Sequence, residues 1–102
     1  MQMSDTADLE ADVVSIRVGT HFDARLHDMF MRACYRVQGK RSKKIVVDFA
    51  QTRRLHESGL ALLMMLHDRA WCLREGIELV NCSPTLRAWF SNALYPGTFK
   101  VA

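Results

Sequence analysis

Short β-branched runs and longer segments with apolar residues three or four positions apart alternate along this chain. The β-branched runs favour strands, and they occur at residues 13–18, 45–49 and 77–80. Two weaker stretches predict short edge strands, one near residues 7–10 and one at residues 99–101. The run IVVDF at residues 45–49 is almost entirely apolar, which is typical of a central strand covered on both faces.

Helical spacing appears in the segments between these strands. The first helix is predicted to begin near Asp23 and to end at Gly39. The second is predicted to begin at Ser58 and to continue to Arg74, with Gly76 as its terminator. The apolar stripe of the first helix consists of Leu26, Met29, Phe30, Ala33, Cys34 and Val37.

A third predicted helix has a clear start. Ser83 supplies the hydroxyl of a helix N-cap, and Pro84 suits the first helical position because its fixed φ and missing N–H do no harm there. Its apolar stripe consists of Leu86, Trp89, Phe90, Ala93 and Leu94.

This alternation of strands and helices, with short connections, predicts an α/β fold in which helices flank a mixed sheet of four to five strands. With 102 residues, of which 49% are hydrophobic, the chain can bury one core, so we expect a single domain over residues 1–102. Residues 1–10 are expected either to be disordered or to form the first short edge strand.

The cysteines and the amino-terminal residues indicate where the protein works. Cys34, Cys72 and Cys82 are odd in number and include no C-x-x-C pair, which argues against a disulfide framework and against zinc. The acidic start MQMSDTADLEAD lacks the basic residues and apolar run of a secretory signal, and no apolar stretch is long enough for a membrane span. We therefore expect a cytoplasmic protein with reduced thiols, no membrane insertion, no metal and no cofactor.

The formal net charge of +3 comes largely from the run GKRSKK at residues 39–44. No aromatic residues interleave with these cations, as a base-stacking platform would require. We interpret the run as a solvated loop that keeps the neighbouring apolar strand soluble, and we expect no nucleic-acid partner.

The segment LHESGLALLMML, residues 55–66, is the best candidate for a functional site. His56, Glu57 and Ser58 are residue types found in hydrolases, but Ser58 lacks the G-x-S-x-G context of an exposed nucleophile. The four histidines form no i, i+4 metal-binding pair, and no phosphate-binding glycine loop is present. An enzyme is therefore disfavoured.

The polar turn precedes a helix that is apolar on most sides. At a helix amino terminus, free N–H groups and the helix dipole favour an anion such as the Glu57 carboxylate. Packing one face of residues 60–66 on a sheet leaves apolar side chains on another face, and methionines are adaptable at such positions. Either this face binds a partner, with Leu62 and Met65 as the candidate contacts, or neighbouring helices bury it.

Taken in order, these segments resemble the STAS domains of sulfate transporters and anti-sigma factor antagonists. The resemblance covers nearly the whole chain and includes FDA at residues 22–24, IVVDFAQT at 45–52, the turn before Gly59 and GIELVNCSPTLRAWF at 76–90. It implies a STAS fold and a non-enzymatic regulatory module that binds a protein partner. In that family an Asp-Ser-Ser/Thr-Gly turn begins the second helix, and a partner kinase that also sequesters a sigma factor phosphorylates the first hydroxyl residue. The unphosphorylated antagonist binds the kinase, and the phosphorylated form releases it.

The turn of this chain differs from that motif. When the two are aligned on Gly59, Ser58 matches the second hydroxyl residue, Glu57 occupies the phosphoacceptor position and His56 replaces the Asp. A carboxylate carries one negative charge where a phosphoserine carries roughly 1.5 to 2, so Glu57 would imitate the modified state permanently and in part.

The resemblance also implies roles and partners beyond the turn. Asp23 and Asp48 resemble the acidic residues beside the switch, with a helix cap and a strand-end hydrogen bond as alternative roles. The implied partner is an anti-sigma factor that is also a serine kinase, in a bacterial pathway regulating transcription, and Ser58 is open as an inherited phosphoacceptor.

Two other functions stay open. GLALLMML also resembles the helix by which some STAS proteins dock on transporter ATPases, so the chain is alternatively a subunit of an ABC-type transporter. The other alternative is a small nucleotide-binding protein or enzyme.

Overall fold

The computed structural model describes residues 13–37, 44–70, 73, 76–94 and 99–102. Within them the strands are β1 (Val13–Arg17), β2 (His21–Phe22), β3 (Lys44–Asp48), β4 (Arg54–Leu55), β5 (Gly76–Val80) and β6 (Lys100–Val101). A 3₁₀ turn at Ala24–Leu26 leads into helix α1 (His27–Val37), and the later helices are α2 (Glu57–Arg69) and α3 (Pro84–Ala93).

Strand β3 lies at the centre of the main sheet, between β1 and β5, and β6 pairs with the other edge of β5. Ile45 is opposite Val14 on one side and Ile77 on the other, so apolar side chains line up across three strands. The prediction that residues 45–49 form the central strand is confirmed.

The sequence predicts a mixed sheet, whereas the four described strands of the main sheet all pair in parallel. The edge strand predicted near residues 7–10 lies outside the described residues, so an antiparallel member of the sheet stays a prediction. The α/β architecture with helices beside a four-stranded sheet is confirmed.

The two faces of the central strand differ in burial. Ile45 and Val47 are fully buried, whereas Val46 between them is half-buried. On the face of Val46, the Lys44 Nζ lies 3.4 Å from a carboxylate oxygen of Glu78 on β5, and both side chains keep more than a quarter of their surface in water. Both faces of the strand are covered, but the second face only in part, because charged groups there retain solvent.

Aromatic side chains join the sheet to two of the helices. The rings of Phe22 and Phe49 are 5.0 Å apart edge to face, and the Phe49 ring lies 5.3 Å from that of Phe90 on α3. Phe22 also contacts Phe30 on α1, with ring centroids 6.1 Å apart. Such pairs add about 0.5–1.5 kcal/mol beyond their burial. They fix the end of the sheet at which β3 finishes.

Helix boundaries follow local chemistry with one exception. Helix α3 begins as predicted, since the Ser83 Oγ accepts a hydrogen bond of 3.1 Å from the Leu86 N–H and Pro84 occupies the first position. Helix α2, predicted to reach Arg74, ends at Arg69, because the next residue already leaves helical geometry at φ −109° and ψ 28°. Gly76, predicted as its terminator, instead begins β5 with φ +76°.

Two expectations are not decided by this fold. The end of the first helix at Gly39 lies outside the described residues, and the assignment of residues 1–102 to a single domain stays a prediction. In the described part of the chain, none of the helices has the length and apolar content needed to cross a bilayer.

The unequal faces of β3 predict unequal costs for the same truncation. Val47→Ala should lower the free energy of unfolding by about 2–3 kcal/mol, because it removes fully buried carbon and leaves a cavity. Val46→Ala, the matched control one residue away, should cost less than half as much. Urea unfolding of both variants checks this, and equal losses would show that the second face is covered as completely as the first.

Candidate functional site

The polar turn at residues 56–59 lies beside the short β2–β4 ribbon. The Thr20 carbonyl accepts hydrogen bonds of 2.9 Å from the backbone N–H groups of both Arg53 and Arg54. The His56 N–H then donates to the Phe22 carbonyl at 3.1 Å. These bonds run from one strand of the ribbon to the other, so the start of α2 is held against the segment that leads into α1.

Gly59 is the point of closest approach between the turn and the core. A Cβ built on this residue would lie 2.7 Å from Cδ2 of Phe22 and 2.8 Å from its carbonyl oxygen. Such distances are far below van der Waals contact, and one of the two neighbours is backbone that cannot rotate away. Only glycine fits at this position, and it allows α2 to begin directly on Phe22.

Ser58 links the turn to the 3₁₀ segment. Its Oγ accepts a hydrogen bond of 3.0 Å from the Ala24 N–H, across 34 positions of sequence. Because the first N–H groups of a helix lack partners within it, this hydroxyl satisfies a donor that would otherwise need water. Ser58 thus has a structural role in the described fold, although the residue is exposed.

Asp23 is the N-cap residue of the 3₁₀ segment, and its carboxylate is bound by the nearby Arg25. Its carboxylate accepts a bond of 3.0 Å from the Arg25 N–H and pairs with the Arg25 guanidinium at 2.8 Å. The side-chain hydrogen bond from Arg25, followed by the backbone one, lowers the pKa of Asp23 to about 2. The carboxylate is therefore ionised at neutral pH and acts as a helix cap.

Asp48 closes the end of the central strand. Its Oδ1 accepts hydrogen bonds of 2.9 Å from the Asn81 side-chain amide and from the Ala50 N–H. Both bonds lower the pKa of Asp48, and the bond from Asn81 has the larger effect. Asn81 adopts a left-handed φ of 57°, which asparagine tolerates better than most residues. The bond from Asn81 joins the ends of β3 and β5, whereas the bond from Ala50 holds the turn that follows β3. Neither Asp48 nor Asp23 makes a hydrogen bond to Glu57 or Ser58.

Glu57 and His56 are both exposed at the start of α2. His56 is the N-cap residue in extended geometry, and its side chain makes no capping hydrogen bond. Glu57, the first helical residue, places a carboxylate near the positive end of the helix dipole, which is favourable by about 0.3–1 kcal/mol at an exposed site. The turn therefore presents the negative charge of the Glu57 carboxylate to solvent.

Helix α2 buries one face and exposes another. Starting from Gly59, the buried positions recur at three- and four-residue steps, as the pattern Leu62, Leu63 and Leu66 shows. Leu62, one of the two candidate partner contacts, is only 5% exposed, so its side chain belongs to the core. Met65, the second predicted contact, is half-buried against the core.

Four exposed residues of α2 form a row on the side of the helix opposite the core. Met64 is 39% exposed and is the large apolar side chain of this row. The row runs from the turn along the helix through Glu57, Ala61, Met64 and Asp68. We name these four residues the outward row. An apolar side chain thus stands between two carboxylates, one of which belongs to the turn.

The described residues contain no cluster of three or more His, Cys, Asp or Glu side chains that could hold a metal ion. Burial raises the pKa of the thiols of Cys34 and Cys82, which disfavours the reactive thiolate at both.

Comparison with known proteins supports the fold assignment. No family model and no curated protein matches the sequence. Among solved structures, the anti-sigma factor antagonist SpoIIAA in its unphosphorylated form aligns with a TM-score of 0.71 and 19% identity, covering 88% of this chain and 79% of that one. The Bacillus cell fate determinant SpoIIAA in the phosphorylated form aligns with a TM-score of 0.63 and 21% identity, covering 90% of this chain and 84% of that one. The chain folds as a STAS-like domain.

One part of the candidate site, the β2–β4 ribbon, was not predicted from the sequence. His21 pairs opposite Arg54 and Phe22 opposite Leu55, in strands two residues long. Two residues are too few for a period-two pattern to be recognised. The available signal was Phe22, an isolated aromatic residue beside polar neighbours that proves to be fully buried.

The close approach at Gly59 predicts that this turn does not tolerate an added methyl group. Gly59→Ala should lower the free energy of unfolding by roughly 1–3 kcal/mol, since the added methyl group collides with both the ring and the carbonyl of Phe22. Gly19→Ala is the matched control, because a Cβ at Gly19 meets nothing within 4 Å. Chemical denaturation measures both, and a neutral Gly59→Ala would mean that α2 does not start against Phe22.

Proposed function

We propose that this STAS-like domain is a regulatory module of the anti-sigma factor antagonist type, and that it binds a protein partner through the turn at residues 56–59 and the outward row of α2. The observation that carries the proposal is the exposed Glu57 carboxylate on a turn that Gly59 anchors to the core and Ser58 links to the 3₁₀ segment. A charge on a fixed backbone is suited to recognition because little conformational freedom is lost on binding.

The similarity to SpoIIAA supports this class of function. The two SpoIIAA structures are described as an anti-sigma factor antagonist and as a cell fate determinant, one unphosphorylated and one phosphorylated. We infer by analogy that the partner is an anti-sigma factor with serine kinase activity, in the cytoplasm of a bacterium. The same similarity gives no support to a transporter subunit or to a nucleotide-binding protein.

A non-enzymatic role agrees with the geometry of the polar side chains. The Ser58 Oγ is engaged by a backbone N–H of the 3₁₀ segment, and Asp23 is engaged by Arg25. A hydrolytic site would need a base within hydrogen-bonding distance of the serine and a third group to orient that base. The described polar contacts instead hold the turn in place.

Within this proposal, Glu57 stands at the phosphoacceptor position and supplies part of the charge of a phosphoserine. The module would therefore imitate the modified form permanently but only in part, and would bind the partner more weakly than Glu57→Ser does. His56 would contribute to the electrostatic potential around the turn. Asp48 would act indirectly, because its bond to Asn81 fixes the end of β3.

The outward row can be tested by a charge substitution at its apolar member. Met64→Asp should weaken binding to the partner that co-purifies from native lysate by about tenfold, because it places an uncompensated charge in an apolar contact. It should change the free energy of unfolding by no more than about 0.5 kcal/mol, as expected at an exposed site. Arg69→Asp on the exposed end of the same helix is the control. Unchanged partner affinity in Met64→Asp, measured by calorimetry, would exclude the outward row.

The role of Glu57 is tested by restoring a hydroxyl. After incubation with the co-purified kinase and ATP, Glu57→Ser should gain the mass of one phosphate, whereas the wild type and Ser58→Ala should gain none. The reason is that Glu57 offers no hydroxyl at the phosphoacceptor position, and Ser58 lies one residue beyond it. Intact-mass spectrometry gives the answer. A phosphate on the wild type that disappears in Ser58→Ala would show that the phosphoacceptor is Ser58.

A further inference from the structure

Basic side chains are gathered on the outer side of the β2–β4 ribbon. His21 is opposite Arg54 in the parallel pair, and paired residues of neighbouring strands project to the same side, about 5 Å apart. The alternate pair points inward, since Phe22 is fully buried and Leu55 packs against the core. His21 and Arg54 are both exposed.

Two further residues extend this group. His56 is in extended geometry, at φ −132° and ψ 151°, so the alternation of side chains places it on the same side as Arg54. Arg53 is exposed, and its N–H shares the Thr20 carbonyl with the N–H of Arg54, so the two residues lie side by side at the start of the ribbon. Arg53 also lines a shallow open cleft together with Thr52 and Asn81. We name His21, Arg53, Arg54 and His56 the basic ribbon.

The backbone beneath these side chains is held firmly. Both arginine N–H groups donate to the Thr20 carbonyl, and the Thr52 hydroxyl donates to the Gly19 carbonyl at 3.1 Å. The cations therefore project from a fixed base, which reduces the conformational entropy that docking would remove.

The charge of the basic ribbon is not neutralised within the described part of the chain. Arg25 is paired with Asp23 and Lys44 with Glu78, whereas Arg53 and Arg54 form no ion pair with a carboxylate of the described residues. The neighbouring Glu57 supplies a single opposite charge at one end. An occupant rich in carboxylates would complement this surface and be steered to it.

A nucleic acid fits the basic ribbon less well than an acidic protein segment. The aromatic residue of the ribbon, Phe22, is fully buried and offers no ring for base stacking. Glu57 stands at the end of the ribbon and would repel a phosphate backbone, whereas a protein partner can match it with a cation of its own.

We propose that the basic ribbon docks an acidic, carboxylate-rich segment of the protein partner, beside the turn at residues 56–59. This inference rests on the proposed function, since it names the chemistry of the partner at the same site. The partner would then carry two kinds of charge, carboxylates for Arg53 and Arg54 and a cation for Glu57.

The test uses a fluorescein-labelled, glutamate-rich peptide as the probe and fluorescence anisotropy at low salt. Arg53→Glu/Arg54→Glu should weaken peptide binding by roughly tenfold or more. Arg32→Glu/Arg36→Glu, on the exposed side of α1, makes the same change in net charge and should leave binding near the wild-type value. Binding should weaken as salt is added, because exposed charges are screened. Should the first variant fail to fold, as judged by circular dichroism, Arg53→Gln/Arg54→Gln replaces it.

Three outcomes would overturn the inference. Equal losses in the two double variants would show that net charge alone attracts the peptide. Failure of the wild type to bind the peptide would show that the basic ribbon does not dock acidic segments. Tighter binding of a DNA duplex than of the peptide, lost with the same two arginines, would identify a nucleic-acid surface instead. The peptide assay needs no natural partner, so it fails or succeeds independently of the Met64→Asp and Glu57→Ser experiments.

Discussion

The contact between Gly59 and Phe22 determines where helix α2 can begin. Phe22 is fully buried between the rings of Phe30 and Phe49, so its position is set by the core. Because Gly59 has no side chain, the first turn of α2 lies directly on that ring and on its carbonyl oxygen. The exposed carboxylate of Glu57 and the outward row of the helix are placed by the same contact. A site on the surface is thus positioned by the innermost part of the molecule.

The sequence predicted the type and order of the helices and strands better than it predicted where they end. The central strand and the start of α3 followed from local signals, namely a β-branched run and a Ser-Pro pair, and the structure agrees with both. The end of α2 was misplaced because the segment before Gly76 is compatible with a helix in its composition, and only the backbone geometry at Ala70 shows where it stops. Local patterns fix the type of an element more reliably than its boundary.

At the candidate site, the sequence was a still weaker guide to which side chains face water. LALLMML is apolar in every position, so its composition cannot say which side chains face water. The assignment requires the phase of the helix, which Gly59 sets and which places Leu62 inside and Met64 outside. Asp23 and Asp48 were recognised as cap or strand-end residues in one of two interpretations, and their hydrogen bonds to Arg25, Ala50 and Asn81 are of that kind. The β2–β4 ribbon depends on a pairing across more than thirty positions, which no local pattern records.

The hydrogen bond from the Ala24 N–H to the Ser58 hydroxyl bears on how related sequences are compared. The bond favours a short side chain with an acceptor oxygen at position 58, whether or not that oxygen is ever modified. Selection for stability alone would favour serine, or threonine in its place, at this position. A retained hydroxyl at this position is therefore weak evidence for regulation by phosphate, and the residue just before it, which makes no such bond, is the more informative one to follow through a lineage.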